Sequence, residues 1–181
     1  FITGELLLFT SCNKQEFDES TVADIDGNSY RTVRIGNQWW MAENLKTTKY
    51  NDGSFIPRVE GYKAWYDLKN GAYSWYDDIL EYKEVYGHLY NWFAVSTNKI
   101  CPTGWHVPSK DELETLLNFL GEYSGHKLIE TGTTHWKAPN TGATNETGFT
   151  WLPAGERYYA WGTYRFLGEW SSFWSSSGTS W

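Results

Sequence analysis

The residues that could do chemistry are spread along this chain of 181 residues, and their spacing limits what each can do. Four histidines, His88, His106, His126 and His135, form no His-x-x-x-His or His-Glu-x-x-His pair, and no Cys-x-x-Cys accompanies them. Zinc needs convergent nitrogen and sulfur ligands, so each histidine reads as an ordinary hydrogen-bonding side chain. Asp24, Asp26 and Asn28 alternate as calcium ligands do at the start of a binding loop. The glycine falls at the fourth position instead of the sixth, and no glutamate closes a twelve-residue loop, which favours a hairpin turn. Glu146, Glu156 and Glu169 are the carboxylates from which a glycosidase pair would be drawn, but sequence sets no distance between them. No metal and no cofactor is expected, and no catalytic residue is assigned.

Aromatic side chains are the richer signal. They make up 19% of the chain, with 12 Trp and 13 Tyr, more than a core consumes, so some rings are expected on the surface. The densest run is Trp151, Tyr158, Tyr159, Trp161, Tyr164, Trp170, Phe173 and Trp174, with Arg157 and Arg165 among them. Flat rings with polar tips stack on sugar faces and also anchor protein interfaces. Tyr158, Tyr159, Trp161 and Tyr164 are expected to be exposed contact residues, with Arg157 and Trp170 completing the ligand-binding set.

These residues must be positioned by short elements. Ser109 stands three residues before Glu112, a capping box, and Leu113, Leu116, Leu117 and Leu120 recur on one helical stripe that Gly121 closes. Tyr86, Leu89, Tyr90 and Phe93 also have helical spacing, which predicts a second short helix over Val85 to Val95. Asp26-Gly27-Asn28 and Gly36-Asn37 are turn signals around an alternating strand, Tyr30 to Ile35, and a returning strand, Gln38 to Met41. In the first strand Arg31, Val33 and Ile35 share one face. Further strands are expected at Gly148 to Leu152, Arg157 to Phe166 and Glu169 to Ser175. The Gly/Thr/Asn-rich stretch from Gly121 to Thr147 reads as a long connection of the kind that carries binding loops. No internal repeat is visible.

The 22 acidic and 15 basic residues leave a net charge of −7, which repels phosphate backbones and disfavours nucleic-acid partners. No apolar run approaches the roughly 20 residues of a membrane-spanning helix. Leu6-Leu7-Leu8-Phe9-Thr10-Ser11-Cys12 resembles the end of a bacterial lipoprotein signal peptide, with Cys12 as the lipidated residue and the acidic 13–19 stretch as tether. Phe1 is no start residue, a basic leader is missing, and Glu5 interrupts the apolar part, so an apolar N-terminal strand or arm is the alternative. The chain divides into residues 1–20, tether or arm, and a domain over 21–181. Cys12 and Cys101 are the two cysteines. A 12–101 disulfide in an oxidising compartment is the alternative to lipidation. Cys101 stands before a proline in a rigid turn with no base evident, so a structural role is favoured over a nucleophilic one.

Several motifs resemble, in order, the Fibrobacter succinogenes major paralogous domain, a family common in bacterial surface proteins. They are Asp26 to Tyr30, Thr32 to Gln38, Trp40 to Leu45, Tyr86 to Trp92, the run Cys101-Pro-Thr-Gly-Trp-His-Val-Pro108 into Leu113, Gly148-Phe149, and Phe173 to Ser177. The resemblance implies an α+β fold similar to C-type lectin-like domains, with two short helices and twisted antiparallel sheets, in a Bacteroidetes-type surface lipoprotein. It implies buried Phe149 and Trp174, and a final strand with a second cysteine, partner to Cys101, beyond the point where this sequence stops. Lacking that strand, the sheet would present an edge open to another chain. Calcium-dependent lectins carry Glu-Pro-Asn and Trp-Asn-Asp; Ala138-Pro139-Asn140 and Trp174-Ser175-Ser176 lack the oxygens a hard cation needs. The expected function is a non-catalytic surface binding or adhesion module for a glycan or a surface protein, at the outer membrane through a lipid anchor or secreted. A fibre or pilus subunit that self-assembles is the alternative.

Overall fold

The computed structural model of the protein describes residues 20–177. Residues 1–19 of the tether or arm, Cys12 among them, and the last four residues lie outside the described part. The class is α+β: among the described residues there are five short helices and small antiparallel sheets. The first sheet joins β1 (Thr21–Ala23), β2 (Ser29–Ile35) and β3 (Gln38–Met41), with the expected turns at Gly27 and Gly36. β4 (Tyr73–Ser74) pairs with β5 (Leu89–Tyr90), and β6 (Glu156–Arg157) pairs with β7 (Tyr164–Arg165).

The alternation of β2 holds, and burial falls on both of its faces. Tyr30 and Thr32 are buried from one face, whereas Ile35 and, in part, Val33 are covered from the other. The Tyr30 hydroxyl donates to Asp24 Oδ2 at 2.5 Å and accepts from the Lys46 amide at 2.9 Å. The next residue's carbonyl, Thr47 O, takes the Tyr90 hydroxyl at 2.7 Å. Ile35, on the opposite face, packs with Leu116, Leu120 and Leu128.

The predicted helix at Lys110 is present as α4 (Lys110–Leu120). Ser109 and Glu112 form the reciprocal capping box and Gly121 ends the helix at φ 70°. Leu113, Leu116 and Leu120 are buried, while Leu117, on the edge of the stripe, is exposed. Leu116 is 1% exposed, so Leu116→Ala should cost about 3 kcal/mol.

The expected helix over Val85 to Val95 is divided. α2 (Leu80–Tyr86) stops at Gly87, whose φ of 71° turns the chain out of the helix. The His88 amide then donates to Leu45 O at 3.0 Å, Leu89–Tyr90 becomes β5, and Asn91 caps a new short helix, α3 (Trp92–Val95). Tertiary hydrogen bonding thus overrode a helical spacing, helped by a glycine in its middle. Two further short helices, α1 (Tyr62–Tyr66) and α5 (Ser124–Leu128), had no strong sequence signal.

The expected strand from Arg157 to Phe166 is a hairpin, β6–β7, with Tyr158 to Thr163 as its loop. The Tyr158 amide donates to Thr163 O at 2.7 Å and the Gly162 amide to Tyr158 O at 2.8 Å. The other two late strands reduce to isolated bridges, among them Ile129 with Trp151 and Gly155 with Ser171. A second core lies at Ile56, Tyr73, Ala94, Val95 and Ile100, with Trp92 and Trp174 packed against it.

Candidate functional site

The chemistry-bearing residues are dispersed and mostly engaged. Asp24 is buried and accepts from the amides of Asp26 and Asn28, the Asn28 side chain and Tyr30. Asp26 accepts from the Thr48 amide at 2.5 Å and from the Thr48 hydroxyl, and pairs with Lys49 at 2.9 Å. Burial pulls the Asp26 carboxyl upward, but the Lys49 and Thr48 bonds outweigh it and hold it at about 2. These carboxylates fasten the turn to the 46–49 segment, in keeping with the hairpin reading.

His106 meets Glu112 at 2.7 Å, His135 meets Glu130 at 2.8 Å, and His126 stacks on Tyr123. His88 is buried against Tyr73 and Trp75, and burial lowers it to about 4. Glu146, Glu156 and Glu169 pair separately with Lys127, Arg165 and Lys137. Among the described residues no group of three His, Cys, Asp or Glu side chains could hold a metal. Cys101 is half-buried in residue terms with its thiol desolvated, which pushes it up to about 11 and keeps it protonated at neutral pH.

The C-terminal aromatics separate into two groups. Trp151 packs on Phe173, Phe149 on Trp40, and Trp174 donates its ring N–H to Tyr90 O at 2.8 Å. Phe149 and Trp174 are half-buried rather than wholly enclosed. The hairpin loop carries the other group. Tyr159 is 77% exposed and Trp161 69% exposed, and both rings lean on Tyr158, at 4.9 and 5.5 Å between centroids. Arg165, ion-paired to Glu156, lies 3.8 Å under the Tyr158 ring.

Arg157 stands differently from the ligand contact expected of it. It is 8% exposed. Its Nε donates to Gly162 O at 3.1 Å, Nη1 to Val59 O at 2.7 Å and Nη2 to Gly61 O at 2.8 Å. The guanidinium lies between Trp65, at 4.2 Å, and Tyr164, at 4.7 Å. With one bond from each nitrogen made inside the protein, Arg157 holds the surface from behind. Tyr164 is half-buried for the same reason, and burial raises its hydroxyl to about 12. Trp170 is exposed on the following turn, where its carbonyl accepts from the Gly155 amide.

The Arg157 clamp brings in two rings that the sequence reading did not single out. Val59 and Gly61 lead into α1, whose Tyr62 and Tyr66 are each 57% exposed. They lie four residues apart, hence on one side of the helix, while Trp65 is buried. That i, i+4 spacing after Gly61 was the available signal. Gly162, at φ 66°, lies directly on the Tyr62 backbone, so the hairpin loop and α1 form one interlocked surface.

A second feature is a groove of about 940 Å³ beside β1, lined by Trp39, Trp40, Trp105, Phe149, Phe173 and Trp174, with Cys101 at one side. The family model of the Fibrobacter succinogenes major domain matches residues 33–180. The chain belongs to that family. The match begins inside β2, so β1 and the Asp24 turn precede it while pairing into the same sheet. No curated protein and no solved structure matches the chain. In this member of the family, α4, the Cys101 turn and the aromatic hairpin all fall within the matched region. No helix among the described residues is long and apolar enough to cross a membrane.

Proposed function

We propose that this chain is a non-catalytic binding and adhesion module of a bacterial surface lipoprotein, with a C-type lectin-like fold and a lipid anchor at Cys12. Its ligand is a glycan, met by the aromatic hairpin. The observation that carries this reading is the exposure of Tyr159 and Trp161 on a loop fixed by buried Arg157. Large exposed rings cost solubility and are retained where they meet a ligand. Rings locked in place lose little conformational freedom on binding. A glycan array tests this, comparing residues 21–181 with the Tyr159→Ala, Trp161→Ala variant. Binding by the wild type that the variant loses supports the reading. A folded wild type that binds no glycan removes it.

The apolar groove beside β1 favours one second reading, a structural subunit that joins its neighbours through that groove and sheet edge. Concentration-dependent association in sedimentation, abolished by Trp39→Glu, would favour it over the first.

A further inference from the structure

We propose that the joined surface of α1 and the hairpin loop takes an uncharged, linear polysaccharide, with Tyr62 and Tyr66 contacting one stretch of the chain and Tyr159 and Trp161 another. This rests on the glycan reading above and names the class of glycan and the second half of the site.

Charge decides the class. Residues 58–67 and 156–165 carry Glu60, Asp67 and Glu156 against Arg58, Lys63 and Arg165, with Arg157 buried beneath, so the charges of this face sum to zero on a chain of net charge −7. The charges are also matched locally: Glu60 to Arg58, Lys63 to Asp67, and Glu156 to Arg165. Arg157 is turned inward onto carbonyls. Each exposed cation on this face already stands against a carboxylate that a uronate, sulfate or sialate would have to displace, and the acidic remainder of the chain repels polyanions. What the face offers is ring surface, which attracts the apolar C–H face of a pyranose without requiring a charge.

Geometry decides the shape. The four rings come from segments about a hundred residues apart in sequence, yet Gly162 rests against Tyr62 with no room for a side chain between them. Two ring pairs fixed relative to each other suit a polymer that presents successive sugar faces, whereas a single terminal sugar would use one pair. A protein partner would need a desolvated core with a water-excluding rim, and on this face the arginine that commonly supplies such an anchor is inside.

Affinity electrophoresis of the full chain through gels containing hydroxyethylcellulose, xyloglucan, galactomannan or polygalacturonate tests the proposal. The variants are Trp161→Ala, the pair Tyr62→Ala with Tyr66→Ala, and Phe55→Ala as an exposed ring elsewhere, each checked for an unchanged melting temperature. The expected result is retardation by at least one neutral polymer and none by polygalacturonate. Trp161→Ala and the Tyr62/Tyr66 pair should each weaken binding roughly tenfold, with Phe55→Ala unchanged. Retardation that survives loss of Tyr62 and Tyr66 but not of Trp161 overturns the two-part surface and leaves the hairpin reading standing. Preference for polygalacturonate overturns the neutral class. No retardation by any polymer, together with a blank glycan array, overturns the glycan reading itself.

Discussion

A Cβ placed on Gly162 would lie 2.3 Å from the Tyr62 carbonyl oxygen and 2.9 Å from the Tyr62 Cα. Backbone meets backbone there, at a residue whose φ of 66° already disfavours any side chain. Gly162→Ala should therefore lift the hairpin loop off α1. A loss of about 2 kcal/mol or more is expected in urea unfolding, with weaker glycan binding even though no exposed ring has changed. Wild-type stability for this variant would show that the contact is not rigid.

Arg157→Lys keeps the charge but not the fork. A lysine ammonium cannot reach Gly162, Val59 and Gly61 carbonyls in the directions the guanidinium serves, nor fill the gap between Trp65 and Tyr164. A destabilisation of about 2 kcal/mol is expected, because the buried Gly162 carbonyl is left without a donor and the half-buried Val59 carbonyl loses one. Thermal unfolding measures it, and tryptophan fluorescence should shift as Trp65 becomes wetter.

His88 provides a pH signature. Burial holds its folded value at about 4, below the unfolded 6.5, so the folded state binds fewer protons between those values. Stability is then complete above pH 6.5 and falls as pH drops towards 4, by roughly 3 kcal/mol in all. Asp26, held at about 2 against 3.8 unfolded, adds a further loss only below pH 3.8, as pH falls through about 2. His88→Phe, which keeps a ring against Tyr73 and Trp75, should flatten the upper window and leave the lower one. Urea midpoints at pH 7, 5.5 and 4.5 for both proteins would reveal a different source if their slopes were parallel.

Cys101 should be slow to react. With its thiol pushed to about 11 by desolvation, little thiolate exists at pH 8. In a Cys12→Ser chain, DTNB should label Cys101 roughly tenfold or more slowly when folded than in urea. Equal rates would mean the thiol opens to solvent on the labelling timescale.

How much of this could be read from residues alone depended on how far away each partner lay. The α4 helix was legible because Ser109, Glu112 and the leucine stripe are neighbours in sequence and suffice to start, face and stop it. The 85–95 stretch misled because its bend depends on Leu45 O, some forty residues away, accepting from the His88 amide. The hairpin rings were visible as composition; of the four expected on the surface, Tyr159 and Trp161 are exposed, whereas Tyr158, covered by those two rings and Arg165, and Tyr164 are half-buried. The role of Arg157 was not visible, since two of its three carbonyl partners lie nearly a hundred residues upstream. Nor could local spacing place Tyr62 and Tyr66 beside the hairpin, because Gly162 and Tyr62 meet only in the folded chain.

The change of covered face along β2 has a consequence for how the domain comes apart. Tyr30 is bound into one interior and Ile35 into the other, five residues along the same strand. Neither interior can open without dragging the shared strand out of its pairing. A one-residue slip against β3 would misplace both sets of side chains together. Amide hydrogens of Val33 and Ile35, which face β3, should therefore exchange only in whole-molecule opening events, behaving as the slowest clock in the domain even though the sheet is three strands wide.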